Sequence, residues 1–72
     1  MDKKDREKLK ILLSHWIEHN QEHGEGFREW AKKAREFGEP TVQENMLDAA
    51  QCMNKASESL LRALKGLKED EL

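Results

Sequence analysis

The sequence predicts an all-α protein that folds as a long antiparallel helical hairpin. Apolar residues recur at alternating steps of three and four in two segments, which are separated by a single strong break at residues 38–40. This alternation is the heptad pattern of helices that pack along their length. We therefore expect one domain over residues 1–72, with a helix at about 3–37, a turn at 38–40 and a helix at about 41–67.

The first segment is predicted to be one continuous helix, although it contains Gly24 and Gly26. Its seam, the row of residues expected to face the second helix, keeps its phase through both glycines and consists of Leu9, Leu13, Trp16, Asn20, His23, Phe27, Trp30, Ala34 and Phe37. A turn at the glycines would release the later residues from this register. Two helical glycines cost roughly 1 kcal/mol each relative to alanine, which packing can offset. The alternative is a three-helix bundle that turns at Gly24–Gly26.

The turn is predicted from the residues "FGEPT". Gly38 suits the C-cap of a helix and Pro40 suits the entry to the next one. The residues "TVQE", Thr41 to Glu44, fit a capping box, in which the first and fourth side chains bond each other's backbone N–H groups.

The second segment is predicted to be one long helix with its own seam, which consists of Val42, Met46, Ala49, Met53, Ala56, Leu60, Ala63 and Leu67. Folding the hairpin at residues 38–40 would place Trp16 opposite Ala63 and Trp30 opposite Ala49. Each large ring would then meet a small residue, as tight packing requires.

A second row of small and apolar residues lies beside the seams and is predicted to mediate dimerisation. This flank comprises Ile17, Gly24, Ala31, Ala50, Ser57 and Leu64, and Leu47 and Leu61 extend it on the second helix. A two-helix hairpin would leave the flank uncovered, so we expect a homodimer that forms a four-helix bundle. The alternative is that the flank only widens the core of one chain.

Composition and charge argue against several classes of partner. Of the 72 residues 36% are apolar and 39% are charged, which leaves little material for a large core. The net charge is -2 and no basic stripe is present, so we expect no nucleic acid partner. Because no run approaches the roughly 20 apolar residues of a membrane span, and no signal-peptide pattern is present, we expect no membrane association. The single cysteine, Cys52, suits the reducing cytoplasm.

The stretch "HWIEHNQEH", residues 15–23, carries the candidate metal ligands. His15, His19 and His23 recur at every fourth residue, so on a helix they form one ridge, with Glu22 beside it. Imidazoles one turn apart can chelate Ni, Zn or Co from a single helix. We expect His19 and His23 to be the chelating pair, with His15 or Glu22 as the third ligand.

Two observations also support a metal-free interpretation. Asn20 and His23 both fall in the seam, where a hydrogen-bonded polar layer could fix the register of the helices. Lys55 and Arg62 would lie on the facing flank, where their charges would oppose a divalent cation. The two hypotheses are therefore a metal-binding or metal-handling domain and a metal-free adaptor or dimerisation bundle.

An enzymatic role is not expected. The same stretch contains H-x-x-E-H, a pattern of certain zinc peptidases, but such enzymes also need an open coordination position and a walled cleft for the peptide. A 72-residue hairpin offers no such cleft. Cys52 has no histidine placed to activate it as a nucleophile.

The residues "LLSHWIEHNQEHGEGFREWAKKA", Leu12 to Ala34, resemble a small uncharacterised helical domain of anaerobic bacteria and archaea with the pattern L-L-x-H-W-I-E-H-N-x-E-H-x-x-x-F-x-x-W-A. In related proteins that domain follows histidine-rich segments or a small nickel-binding module of the carbon-monoxide-dehydrogenase maturation type. The resemblance implies a role in handling nickel or a similar metal, together with a metal-handling protein partner. The matching positions are His15, Trp16, Glu18, His19, Asn20, Glu22, His23, Phe27 and Trp30.

Overall fold

The computed structural model describes residues 2–69, which form two antiparallel α-helices. Helix α1 spans Lys3–Glu36 and helix α2 spans Pro40–Glu69, and together they make a rod of 53 × 14 × 14 Å. The prediction of an all-α hairpin is confirmed. The three-helix alternative is wrong, because α1 continues without a break through Gly24 and Gly26. Within residues 2–69 neither helix is both long and apolar enough to cross a membrane.

The start of α1 is fixed by an N-cap. The Asp2 side chain accepts a hydrogen bond from the backbone N–H of Asp5 at 2.9 Å, which satisfies one of the free donors of the first turn. Asp5 in the first turn and Lys33 and Arg35 in the last turn have the charges that the helix dipole favours at each end.

The turn between the helices is a Schellman motif centred on Gly38. The Gly38 N–H donates to the Arg35 carbonyl at 3.0 Å, and the Glu39 N–H donates to the Ala34 carbonyl at 2.9 Å. Gly38 has φ 82°, a left-handed conformation that a residue without Cβ adopts at little cost. The predicted role of Gly38 as the helix cap is therefore confirmed.

The predicted capping box at Thr41 is wrong. Helix α2 already begins at Pro40, and the Gln43 N–H donates to the Glu39 carbonyl at 3.1 Å, so Thr41 lies inside the first turn. The reason is that proline at the first helical position has a preset φ and lacks an N–H that would in any case be unpaired there.

Small residues dominate the contact between the helices. The buried residues are Leu13, Gly24, Ala31, Ala34, Ala50 and Leu64. Ala31 is 0% exposed and Ala50 is 2% exposed, whereas no large side chain among the described residues is fully buried. Small side chains let two helix backbones approach closely, so the core is thin. Its packing depends on the short distance between the two helices rather than on bulky side chains.

The core lies between the predicted seam, which contributes Leu13 and Ala34, and the neighbouring flank, which contributes Gly24, Ala31, Ala50 and Leu64. An added Cβ on Gly24 would lie 3.7 Å from the Met53 Cβ and 3.9 Å from the Ala50 carbonyl oxygen, whereas the predicted register would place Lys55 there. Trp16 is 41% exposed and Trp30 is 54% exposed, so neither ring is enclosed in the core. An indole ring does not fit between backbones that meet at glycine and alanine, and both rings lie outside the buried row.

The predicted dimer flank is instead part of the core within one chain. Ala31, Ala50 and Leu64 are buried, and Ile17 is half-buried. Of that flank and its extension, Leu47 and Leu61 remain exposed. The flank therefore widens the intramolecular core, and a second copy of the chain cannot use its buried residues as a docking face.

We expect the Gly24→Ala substitution to increase the free energy of unfolding by about 1 kcal/mol, because alanine is the better helix former. The new methyl group would meet Met53 at an ordinary van der Waals distance. Gly24→Leu should instead lower the free energy of unfolding by roughly 1–3 kcal/mol through overpacking. Urea unfolding followed by circular dichroism at one protein concentration measures both changes. A loss of stability in the alanine variant would contradict the observed spacing of the helices.

Candidate metal centre

The three predicted histidines lie on one side of α1 and are all exposed. The rings of His15 and His19 are stacked, with centroids 5.8 Å apart and planes inclined by 23°. The rings of His19 and His23 are closer, at 4.4 Å between centroids, and meet edge to face at 74°. The ridge therefore contains one close pair, His19–His23, and a more distant third ring.

The close pair is joined through its outer ring nitrogens. His19 Nε2 and His23 Nε2 are 3.0 Å apart, so one imidazole donates a hydrogen bond and the other accepts it. A cation that replaces the shared proton would be bound by both nitrogens. Two nitrogens this close could both bind one divalent ion at the usual metal–nitrogen distance of ~2.0–2.1 Å.

The structure brings together the two residues that were predicted to chelate the metal, but not the complete set of four. Residues 2–69 contain no group of three or more His, Cys, Asp or Glu side chains that could hold a metal ion. In this arrangement His15 and Glu22 form no such group with the pair. Cys52 is exposed as a free thiol and also belongs to no such group.

The environment of His23 differs from the predicted polar layer. His23 is exposed and bonds His19, whereas Asn20 is half-buried. The predicted core position of His23 is wrong, because the core lies between the predicted seam and the neighbouring flank of small residues. The His23 ring instead lies near Phe27, with centroids 6.1 Å apart.

Aromatic side chains flank the imidazole pair on the surface, a feature that sequence reasoning missed. Trp16 and Trp30 lie seven residues before and after His23, and residues seven apart share nearly the same helix face. Lys33 Nζ lies 4.3 Å from the centroid of the Trp30 ring in a cation–π contact. The available signal is the regular spacing of seven residues, which also fits a core seam.

The predicted opposing cations lie on α2. Arg62 Nη2 donates a hydrogen bond to Ser59 Oγ at 2.9 Å, so this guanidinium is held against its own helix. Glu22 precedes His23 in the sequence and is exposed, and a carboxylate near the pair favours a cation.

The fold and the site define a class of protein, namely a two-helix hairpin that presents a pair of imidazoles on its surface. The chain belongs to the family described as Domain of unknown function (DUF8180), whose profile matches residues 9–67. An uncharacterized protein of Archaeoglobus fulgidus is 40% identical over 58 residues, which make up 81% of this chain and 92% of that protein. No solved structure matches the chain.

Proposed function

We propose that this protein is a non-enzymatic metal-binding domain that holds a divalent ion of the nickel, zinc or cobalt class through His19 and His23. The observation that carries the proposal is the 3.0 Å separation of the two Nε2 atoms. Two imidazoles already placed on one rigid helix lose little conformational freedom when they chelate a metal.

The openness of the pair suits metal handling better than permanent storage. Both rings are exposed, and two protein ligands leave coordination positions open on any of these ions. A partner protein can reach such a metal and displace the ligands one at a time. We therefore include a metal-handling protein among the proposed partners, and a cytoplasmic location, where the exposed Cys52 would stay reduced.

We also propose that the working unit is a homodimer. Few apolar side chains are buried in the hairpin, while Trp16, Trp30 and Phe37 are exposed. Exposed aromatic residues on one side of a small protein are typical of an interface. The same observation favours the second candidate function, a metal-free adaptor or dimerisation bundle, and metal binding distinguishes the two.

Titration of the protein with Ni²⁺, Zn²⁺ or Co²⁺ at neutral pH, followed by NMR of the histidine rings, tests the proposal. We expect the signals of His19 and His23 to change before that of His15, because only the first two share a nitrogen–nitrogen contact. Lowering the pH should weaken binding, since protons compete with the metal for the imidazole nitrogens.

A His15→Ala variant is the matched control, because it removes a ring of the same kind from the same ridge. It should bind within a few-fold of the parent affinity. If the parent rings show no response to a millimolar excess of any of the three ions, the adaptor function is the correct one.

A further inference from the structure

The imidazole pair is half of a coordination site. Structural metal sites of these ions take about four protein ligands, and ions bound by fewer keep open positions. Within residues 2–69 no third ligand joins His19 and His23. With the described side chains placed as they are, the remaining ligands come from solvent or from another molecule.

The surface around the pair is apolar and self-complementary. Leu12, Trp16 and Trp30 are exposed and share the side of α1 that carries His23. Because the tryptophans lie seven residues on either side of His23, a twofold axis near His23 would place Trp16 of each chain against Trp30 of the other. A single patch that fits its own copy in this way is the requirement for a symmetric dimer.

The size of the tryptophan side of the hairpin also suits an interface with a second copy of the chain. The rod measures 53 Å by 14 Å, so a second copy packed along its full length would cover roughly 700 Å², close to the ~800 Å² that each partner contributes to a standard interface. The other flank is buried at Ala31 and Ala50 and exposes Leu47 and Leu61. The exposed aromatic rings lie on the tryptophan side, so this side offers a helix from another chain the larger apolar side chains.

We infer that two copies of the chain pack antiparallel through this face, and that the His19–His23 pairs of both copies bind one divalent metal ion together. The inference rests on the proposed function and adds the partner, the face and the stoichiometry. Four imidazole nitrogens would surround the ion, and separation of the two copies would again leave a two-ligand site that a partner protein can reach. The midpoint of each His19–His23 pair lies two residues, or about 3 Å along the helix, from the twofold axis near His23. An imidazole side chain is long enough to bring its nitrogen to that axis.

Sedimentation velocity combined with a Zn²⁺ titration, and repeated with Ni²⁺, tests the inference on the full chain. We expect one ion per two chains, and at least a tenfold tighter dimer when metal is present. The fluorescence emission of the two tryptophans should shift to shorter wavelength when metal is added, since dimer formation removes their rings from water.

Two variants identify the face. Trp16→Ser combined with Trp30→Ser should give a helical monomer that binds metal at least tenfold more weakly, and Ile11→Ser, at an exposed site, is the matched control that should behave as the parent. If the double variant unfolds, Gly26→Lys serves instead, because nothing lies within 4 Å of a Cβ at Gly26 and its charge would oppose both the second copy and the ion.

The outcomes separate the two proposals. One ion per chain on a monomer overturns the shared site and leaves the proposed function intact. A parent that binds neither Zn²⁺ nor Ni²⁺ overturns both. A folded double variant or Gly26→Lys variant that still forms the parent dimer overturns the assignment of the face.

Discussion

Replacing Leu13 by alanine should lower the free energy of unfolding by about 2–5 kcal/mol, the usual range for a large-to-small change in a core. Leu13 is 5% exposed and, with Leu64, is one of two leucines in a core otherwise made of alanines and Gly24. A domain of 72 residues has a total stability of roughly 4–11 kcal/mol, so the loss would remove a large share of it. Thermal and urea unfolding followed by circular dichroism at 222 nm measures the change.

The matched control is Ile11→Ala, two residues away on the same helix. Ile11 is 70% exposed, so its replacement should change the free energy of unfolding by no more than about 0.5 kcal/mol. Equal losses of unfolding free energy in the two variants would mean that α1 packs against α2 through a different face from the one described.

The second large effect is expected for His23→Ala in the presence of metal. An ion present at one hundred times its dissociation constant stabilises the folded state by ~2.7 kcal/mol, which for a domain of this size raises the melting temperature by roughly 10–20 °C. His23→Ala should abolish this rise, because it leaves His19 as a single ligand. His15→Ala should keep most of the rise.

Melting curves with Zn²⁺, Ni²⁺ or a chelator separate this effect from a structural one. In chelator, His23→Ala should melt close to the parent, since the His23 side chain is exposed. A variant that is destabilised equally with and without metal would show that the imidazole pair supports the fold. A parent melting temperature that is unmoved by metal would contradict the proposed function.

The hairpin itself could be predicted from the sequence because local signals and long-range periodicity agreed. The heptad phase continued through Gly24 and Gly26, which indicated one helix, and Gly38 followed by Pro40 indicated one stop and one start. Each of these signals depends on a few neighbouring residues. They therefore do not depend on how the two helices dock.

The face on which the two helices pack could not be predicted, because each helix carries more apolar rows than a single partner helix can cover. Trp16 and Ala31 lie in different apolar rows of α1, and heptad spacing does not show which row is buried. The choice follows from backbone distance, since helices that meet at Gly24 and Ala50 come too close to enclose an indole. That distance depends on both helices together, so the periodicity of either sequence segment does not reveal it.

The candidate site was predicted to the level of the pair and no further. Spacing of four residues placed His19 beside His23, which the structure bears out with their 3.0 Å nitrogen contact. The third ligand could not be settled in the same way, because His15 and Glu22 satisfy the same helical spacing rules. The choice between them depends on side-chain directions within the ridge.

The hairpin also brings residues close to the two chain ends together, where Arg6 Nη1 donates to the Leu67 carbonyl oxygen at 3.4 Å. The midpoint of the His19–His23 pair is about 27 Å from that end, given the rise of 1.5 Å per helical residue. A flexible segment of about twenty residues has a typical end-to-end distance of ~25 Å. A metal-carrying segment tethered at either end would therefore reach the pair without leaving the molecule, at an effective concentration near millimolar. For the same reason a histidine affinity tag at either end would compete with the pair for metal, and binding should be measured on the untagged chain.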